Sequence, residues 1–312
     1  FDYWYGTPGS NDWDGPRPNY DSFKAASEEA WKTPLIVNRE NKGAVVSQSL
    51  FTKRYTEEAL RLIRKHSQKP FYIYLSYNMP HVPIFASSSF KGKSRNGIYG
   101  DVVKEIDWSV GQIVKKLDNE NLTRNTIVVF TSDNGPWTMF KEFGGVSGGL
   151  RGEKSTTWEG GERVPCIVSW RGKISPAISN QLMINYDMYA TFANLAGITI
   201  SQGQAIDSID FSPHWIKGLK GTRTKHLYYF HQPMAYRKEN YKIHYYTRSR
   251  TRDPYTGKRE PSVFHEQGLL YDLLNDVGEK KNLVEMYPDR VKIMKKEFLD
   301  AQLAIKEWRP FQ

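Results

Sequence analysis

Apolar and polar positions follow two rhythms along the chain, one of about two residues and one of about three and a half. Phe71-Tyr-Ile-Tyr-Leu-Ser76 and Thr126-Ile-Val-Val-Phe-Thr131 are short apolar runs rich in β-branched and aromatic residues, which predicts buried strands. Between them Val103, Ile106, Val110, Ile113 and Leu117 recur at three- and four-residue steps, predicting a helix over 96–121. On that helix Asp101, Glu105 and Asp107 read as solvated or pairing positions. Thr56-Glu57-Glu58 reads as an N-cap with acids in the first turn, opening a helix that runs to about Ser67. Strand–helix–strand order implies a parallel sheet. Residues 7–50 are rich in Gly, Pro and polar side chains and predict a long surface loop, in which Asp12 and Asp14 read as turn formers.

Beyond Trp170 the rhythm changes. A helix is predicted over 185–196, closed by Gly197. A boundary is expected near Gly218 to Thr224. After it, runs at 227–230, 234–237, 241–246 and 269–272 predict a small antiparallel sheet. Pro288 suits the first turn of a last helix, whose buried face is Val291, Met294, Phe298, Ala301, Ile305 and Trp308. The expectation is an α/β fold, a mostly parallel sheet flanked by helices, with a small C-terminal antiparallel sheet and a packed helix. The domains divide as 1–222 and 223–312.

The 312 residues carry a net charge of +10, so an anionic partner fits. No nucleic-acid motif accompanies the charge, and no apolar run is long enough to span a membrane. The basic stretch from Arg248 to Pro261 reads as a solvated loop or as a rim for a polyanion. The single cysteine, Cys166, rules out an internal disulfide framework. Its setting, Val164-Pro-Cys-Ile-Val168, predicts a buried strand and a structural thiol. His226, His231, His244 and His265 lack ligand spacing and read as structural or surface residues.

The chemistry concentrates between Thr126 and Pro165. The second strand ends in Ser132-Asp133-Asn134-Gly135-Pro136, and ligands of open α/β sheets sit beyond the carboxyl ends of strands. Asp133 and Asn134 offer hard oxygens of the kind calcium or magnesium prefers, though the same residues also make plain turns. A glycine-rich loop, Gly144 to Gly152, leads to Lys154, a point charge where backbone can approach an anion closely. After the first strand, Pro80-His81-Val82-Pro83 holds an imidazole between two prolines, as a hydrogen-bonding loop residue or a catalytic one.

The run from Phe130 to Pro165 resembles the sulfatase family. Its marks are Ser-Asp-Asn-Gly at 132–135, Leu-Arg-Gly-Glu-Lys at 150–154, and Thr-Thr-Trp-Glu-Gly-Gly-Glu-Arg-Val-Pro at 156–165. Pro80-His-Val-Pro83 and the Leu-Tyr-Asp-Leu…Asn-Leu run at 270–283 resemble further segments of that family. The resemblance implies an alkaline-phosphatase-like fold and a sulfuric ester hydrolase acting on aryl or carbohydrate sulfates. It implies calcium rather than magnesium at Asp133 and Asn134. Lys154 and His81 would be catalytic and substrate-binding, Lys154 on the sulfate and His81 on the sulfate or its leaving oxygen. Thr157, Glu159 and Arg163 would order the loop behind Lys154. Sulfatases also carry Asp-x-x-Pro-Thr and Asp-Gly-x-Asp segments. Here Asp187 to Thr191 lacks the proline, and Asp207-Ser-Ile-Asp210 reads as a turn.

Three sulfatase marks do not occur in these residues: the Cys/Ser-x-Pro-x-Arg site of formylglycine, an Asp-Asp pair, and Gly-Lys-Trp-x-x-Gly. The expectation is that residues 1–312 correspond to the C-terminal two-thirds of a sulfatase, that formylglycine lies in a preceding segment which is also a partner of this one, and that these residues alone are inactive. The substrate would be a sulfated small molecule or glycan, and the family implies a periplasmic, secreted or lysosomal site. The alternatives are a phosphoester or phosphonate hydrolase of the same superfamily and a non-catalytic remnant that binds anionic glycans.

Overall fold

The computed structural model describes every residue except 13, 14, 16–18, 26, 46, 202–206, 251, 254–257 and 308–312. Asp14 and Trp308, singled out above, therefore lie outside the described residues. The chain divides into two units, one made of Phe1–Thr126, Trp137–Val146 and Arg252–Lys258, the other of Ile127–Pro136, Ser147–Thr251 and Arg259–Gln312.

In the first unit, β1 (Tyr5–Gly6), β2 (Thr33–Val37) and β3 (Glu40–Val45) form an antiparallel sheet, with the short helix α1 (Tyr20–Lys24) in the β1–β2 connection. The stretch expected to be one long loop is thus built around a hairpin. Its aromatic residues found burial that composition hid: Phe23 and Trp31 are buried, and Phe23 packs on Trp31 and Phe140. Asp12 sits in a turn and accepts a hydrogen bond from the Ser10 hydroxyl. Helix α2 runs Phe51–Lys65, six residues longer at its start than predicted. Phe51, Tyr55, Ala59 and Ile63 recur every four residues and form its buried stripe. Thr56 is no cap: it is buried in mid-helix, and its hydroxyl donates to the Thr52 carbonyl at 2.6 Å.

Helix α3, Gly97–Asn119, matches the predicted span, but its buried face is turned by about one residue. Val102, Ile106 and Leu117 are buried, whereas Val103 is exposed. Asp101 and Glu105 are buried as well. The Asp101 carboxylate accepts the Gly92 and Ser94 amides at 2.7 and 2.6 Å, and Glu105 accepts the Ser87 amide at 2.9 Å. A loop with orphan donors covers that face, and carboxylates are what satisfies it.

The run 71–76 keeps the alternating exposure of a strand but joins no ladder among the described residues. In the second unit β4 (Val128–Thr131) pairs antiparallel with β5 (Cys166–Ser169). The strand pairs formed among the described residues are all antiparallel. Alternation fixes the conformation of a run, not its neighbour, which must come from elsewhere. The same logic corrects Cys166: it lies on a strand, as predicted, but is exposed, and so is Ile167 beside it.

The second unit continues through α4 (Glu159–Glu162), α5 (Asp187–Leu195) and α6 (Ser212–Lys217). Asp187 is fully buried and takes a two-point ion pair from Arg223, Nε to Oδ2 at 2.8 Å and Nη2 to Oδ1 at 2.5 Å. Just ahead of α6, Asp210 accepts the Ser212 amide at 2.8 Å, as a turn residue would.

Strands β6 (Lys225–Phe230), β7 (Gln232–Lys238), β8 (Tyr241–Thr247) and β9 (Val263–Asp272) form an antiparallel sheet in sequential order, and α7 (Pro288–Glu307) follows. Side chains alternate across a strand, so β8 has two faces. Ile243 and Tyr245 join Tyr236, Leu270, Met294 and Phe298 in a core shared with α7. Lys242 and His244 point the other way and are equally buried. Ile305, expected on the buried face of α7, is exposed beyond the end of that core.

Candidate active site

Glycines bring the Asp133-Asn134 turn and the Lys154 loop together within the second unit. Gly135 donates its amide to the Gly161 carbonyl at 2.9 Å, and the Lys154 amide donates to the Pro136 carbonyl at 2.8 Å. A Cβ on Gly135 would lie 1.9 Å from the Gly160 carbonyl oxygen. A Cβ on Gly160 would lie 2.5 Å from the Arg151 oxygen, and one on Gly161 would lie 2.2 Å from that of Thr156. Three backbone segments thus interlock at distances only glycine permits. Gly152 adds a left-handed φ of +81° at the entry to the loop.

Asp133 stands exposed after β4, and Asn134 is half-buried. No described residue hydrogen-bonds the Asp133 carboxylate or the Asn134 carboxamide. The adjacent oxygens suit a hard cation but make only part of a calcium shell of six or more ligands. Among the described residues no group of three or more His, Cys, Asp or Glu side chains could hold a metal. Lys154 is half-buried within a fastened turn. Thr156 donates its amide to the Glu153 carbonyl at 3.0 Å and its hydroxyl to the same oxygen at 2.7 Å.

Behind that turn lies a buried polar cluster. The Lys242 ammonium is 3.0 Å from Glu159 Oε1 and 3.3 Å from Glu279 Oε1. Glu279 Oε2 accepts the Glu159 amide at 2.7 Å, and Glu279 Oε1 lies 2.8 Å from His244 Nε2. His244 Nδ1 lies 3.3 Å from the Thr157 hydroxyl. Burial alone would discharge Lys242; the carboxylates of Glu159 and Glu279 outweigh it and hold the ammonium above the ordinary lysine range. Burial also opposes the charge of Glu279, but Lys242 and His244 win and keep it ionised. For His244 burial dominates and takes its pKa down to about 4. A neutral imidazole facing a carboxylate must carry its proton on Nε2, which leaves Nδ1 to accept from Thr157. Trp158 completes the wall: its indole donates to the Arg248 carbonyl at 2.9 Å, and the Arg151 guanidinium lies 3.7 Å from its ring centre. Arg248 itself is buried and donates to the Glu260 carbonyl, and Arg250 pairs with the Glu260 carboxylate at 3.0 Å. These two arginines fold back on their own insert.

His81 belongs to the first unit. Its Nδ1 lies 3.1 Å from Asn11 Oδ1 and 2.7 Å from the Val82 carbonyl. Two acceptors at Nδ1 require the proton there, so Nε2 is the basic atom of the neutral ring. The fully buried Asn11 also donates to the His81 and Pro83 carbonyls and pairs with Gln48 at 3.0 Å. Neither Asn11 nor Gln48 sits in a motif or a periodic pattern, and nothing in the sequence pointed to them. Glu279 was missed too. Its one trace in the sequence is that it falls inside the Leu-Tyr-Asp-Leu…Asn-Leu run.

The sulfatase family model matches residues 1–198, and that of the C-terminal region of aryl-sulfatase matches 222–310. Bovine (Bos taurus) arylsulfatase A is 35% identical over 254 residues, 76% of this chain and 50% of the relative. Mouse (Mus musculus) N-acetylgalactosamine-6-sulfatase is 35% identical over 266 residues, 82% of this chain and 50% of the relative. The chain spans about half the length of these curated relatives. The crystal structure of the PsFucS1 sulfatase from Pseudoalteromonas sp. matches with a TM-score of 0.86 and 25% identity, covering 100% of this chain and 68% of that one. The fold is accordingly the α/β, alkaline-phosphatase-like fold of its sulfatase neighbours, with the small antiparallel sheet and helix at the C-terminal end. The chain belongs to the sulfatase family.

Proposed function

We propose that the protein hydrolyses sulfate esters of an aryl or carbohydrate alcohol, with Lys154 on the sulfate, His81 at the leaving oxygen and calcium at Asp133 and Asn134. The observation that carries this reading is the glycine interlock. It ties a strand-end carboxylate and carboxamide to a lysine-bearing loop through two backbone hydrogen bonds. An oxyanion transferred at such a place meets a positive side chain held by its own backbone amide. Lys154 binds and orients the sulfate oxygens. His81 keeps its Nδ1 proton on Asn11 and Val82, so Nε2 is the atom that takes up a proton from solvent and, from the imidazolium, passes it to the alcohol oxygen as it leaves. Calcium, when bound by Asp133, Asn134 and further oxygens, supplies charge neutralisation on the transferring group. Formylglycine, carried on a segment outside these residues, would supply the nucleophile.

The test is hydrolysis of an aryl sulfate and the matching aryl phosphate, with added calcium, by the complete protein and by residues 1–312 alone. Turnover of the sulfate by the complete protein, with none by residues 1–312, is expected. Preference for the phosphate would overturn the ester class, and robust turnover by residues 1–312 would overturn the need for a second segment. Lys154→Ala in the complete protein should lower kcat/KM by about a hundredfold or more, the scale of one lost charged contact to a transition state.

A further inference from the structure

We propose that the buried Lys242–Glu279–His244 group of the C-terminal sheet is a positioning device for Lys154, so that the small sheet sets the affinity of the sulfate site. The inference rests on the reading of Lys154 as the sulfate-binding lysine and goes beyond it, because that reading assigns these residues to neither sulfate nor metal.

The connection can be followed atom by atom. Lys242 and His244 are two apart on β8 and so share one face. Lys242 holds both Glu159 and Glu279; Glu279 takes the amide of Glu159 with one oxygen and faces His244 with the other. His244 accepts from Thr157. Thr157 follows Thr156, whose hydroxyl and amide close the turn that presents Lys154. From β8 to the lysine backbone there is no solvent-filled step: Thr156, Thr157, Glu159, Lys242, His244 and Glu279 are each no more than 2% exposed.

Stability alone does not account for this arrangement. Apolar residues of similar volume often match or exceed a buried ion group in stability, because desolvation offsets the attraction. What such a group supplies is geometry: each charge has one low-energy place. Glu279 also holds a left-handed φ of +52°, a conformation a side-chain-bearing residue keeps only when its surroundings demand it.

The experiment measures inorganic sulfate binding to the complete protein by calorimetry at pH 7 with calcium present, and amide hydrogen exchange at Lys154, Glu159 and Gly160. Lys154→Ala should weaken sulfate binding about tenfold to a hundredfold, the range of one charge-assisted hydrogen bond. Lys242→Met should do nearly the same and speed exchange at those three amides while the β6–β9 ladder stays protected. Lys242→Arg should recover part of the affinity. Should Lys242→Met fail to fold, Thr157→Val and His244→Gln each cut one link without stranding a buried charge, and each should weaken sulfate binding severalfold. A folded Lys242→Met, Thr157→Val or His244→Gln protein with a lowered melting temperature but wild-type sulfate affinity would overturn the proposal and leave the group a structural one. If Lys154→Ala itself binds sulfate normally, the assignment of Lys154 is what fails, and the positioning role falls with it.

Discussion

Gly135→Ala should be among the most damaging one-methyl changes in the chain. The added carbon would sit 1.9 Å from the Gly160 carbonyl oxygen and 2.9 Å from its carbon, both backbone atoms. Ordinary carbon contacts lie at about 3.5 Å, so the two turns must part by about 1.5 Å. Neither atom is the end of a flexible side chain, so the separation has to move backbone. Two hydrogen bonds span the junction, Gly135 to Gly161 at 2.9 Å and Lys154 to Pro136 at 2.8 Å, and an opening of that size breaks both. Overpacking at its upper range plus two lost backbone bonds sums to about 4–6 kcal/mol. Gly111→Ala is the control. Gly111 lies on α3 with nothing within 4 Å of its would-be Cβ, and alanine there should stabilise by about 0.5–1 kcal/mol from helix propensity. Denaturant unfolding of both variants in the complete protein, with exchange at the Lys154 amide, measures the contrast. A Gly135→Ala protein within 1 kcal/mol of wild type, with its Lys154 amide still protected, would refute the interlock.

The remaining predictions concern the same unit. His244 has a native pKa of about 4 against an ordinary 6.5, so between these values the unfolded chain takes up a proton that the native state refuses. Stability therefore falls as pH drops from about 6.5 toward 4, by about 2.5 kcal/mol between pH 7 and 4.5 from this residue. Unfolding curves of His244→Gln should lack that part of the slope; curves parallel to wild type would refute the buried neutral imidazole. Arg223→Met strands the Asp187 carboxylate, which keeps only the amides of Ile184 and Ile209, and should cost about 3 kcal/mol. Denaturant titration reads this, and a loss under 1 kcal/mol would count against the buried pair. Phe298→Ala opens the core between α7 and the four-stranded sheet, and its melt should show a loss of about 3–5 kcal/mol.

What the sequence disclosed, and what it withheld, follows from the range over which each signal acts. Helix α3 and the four C-terminal strands were legible because amphipathic period is a local property of the run itself. The rotation of the α3 face was not, since Asp101 and Glu105 read as solvated until the loop 87–94 supplies the amides they accept. The run 71–76 declared its conformation but could not name a partner. Lys242 and His244 mislead in the same way. A lysine and a histidine alternating with apolar residues on a strand look like the wet face of a two-sided sheet. That face is dry because Thr157, Trp158 and Glu159 cover it, and those residues lie more than eighty positions earlier.

The motif residues divide along the same line. Asp133, Asn134 and Lys154 could be picked out because their side chains advertise chemistry. Gly135, Gly160 and Gly161 advertise only permissiveness, and what they permit is a relation between two segments some twenty-five residues apart. Glycine on one side and a buried charge group on the other act on a single loop. The first lets the backbone of the Asp133 turn approach it, and the second prevents it from retreating toward the C-terminal sheet in any but one register. A motif of this kind is conspicuous in sequence because two neighbouring parts of the fold constrain it at once, and only one of those constraints is written in the motif itself.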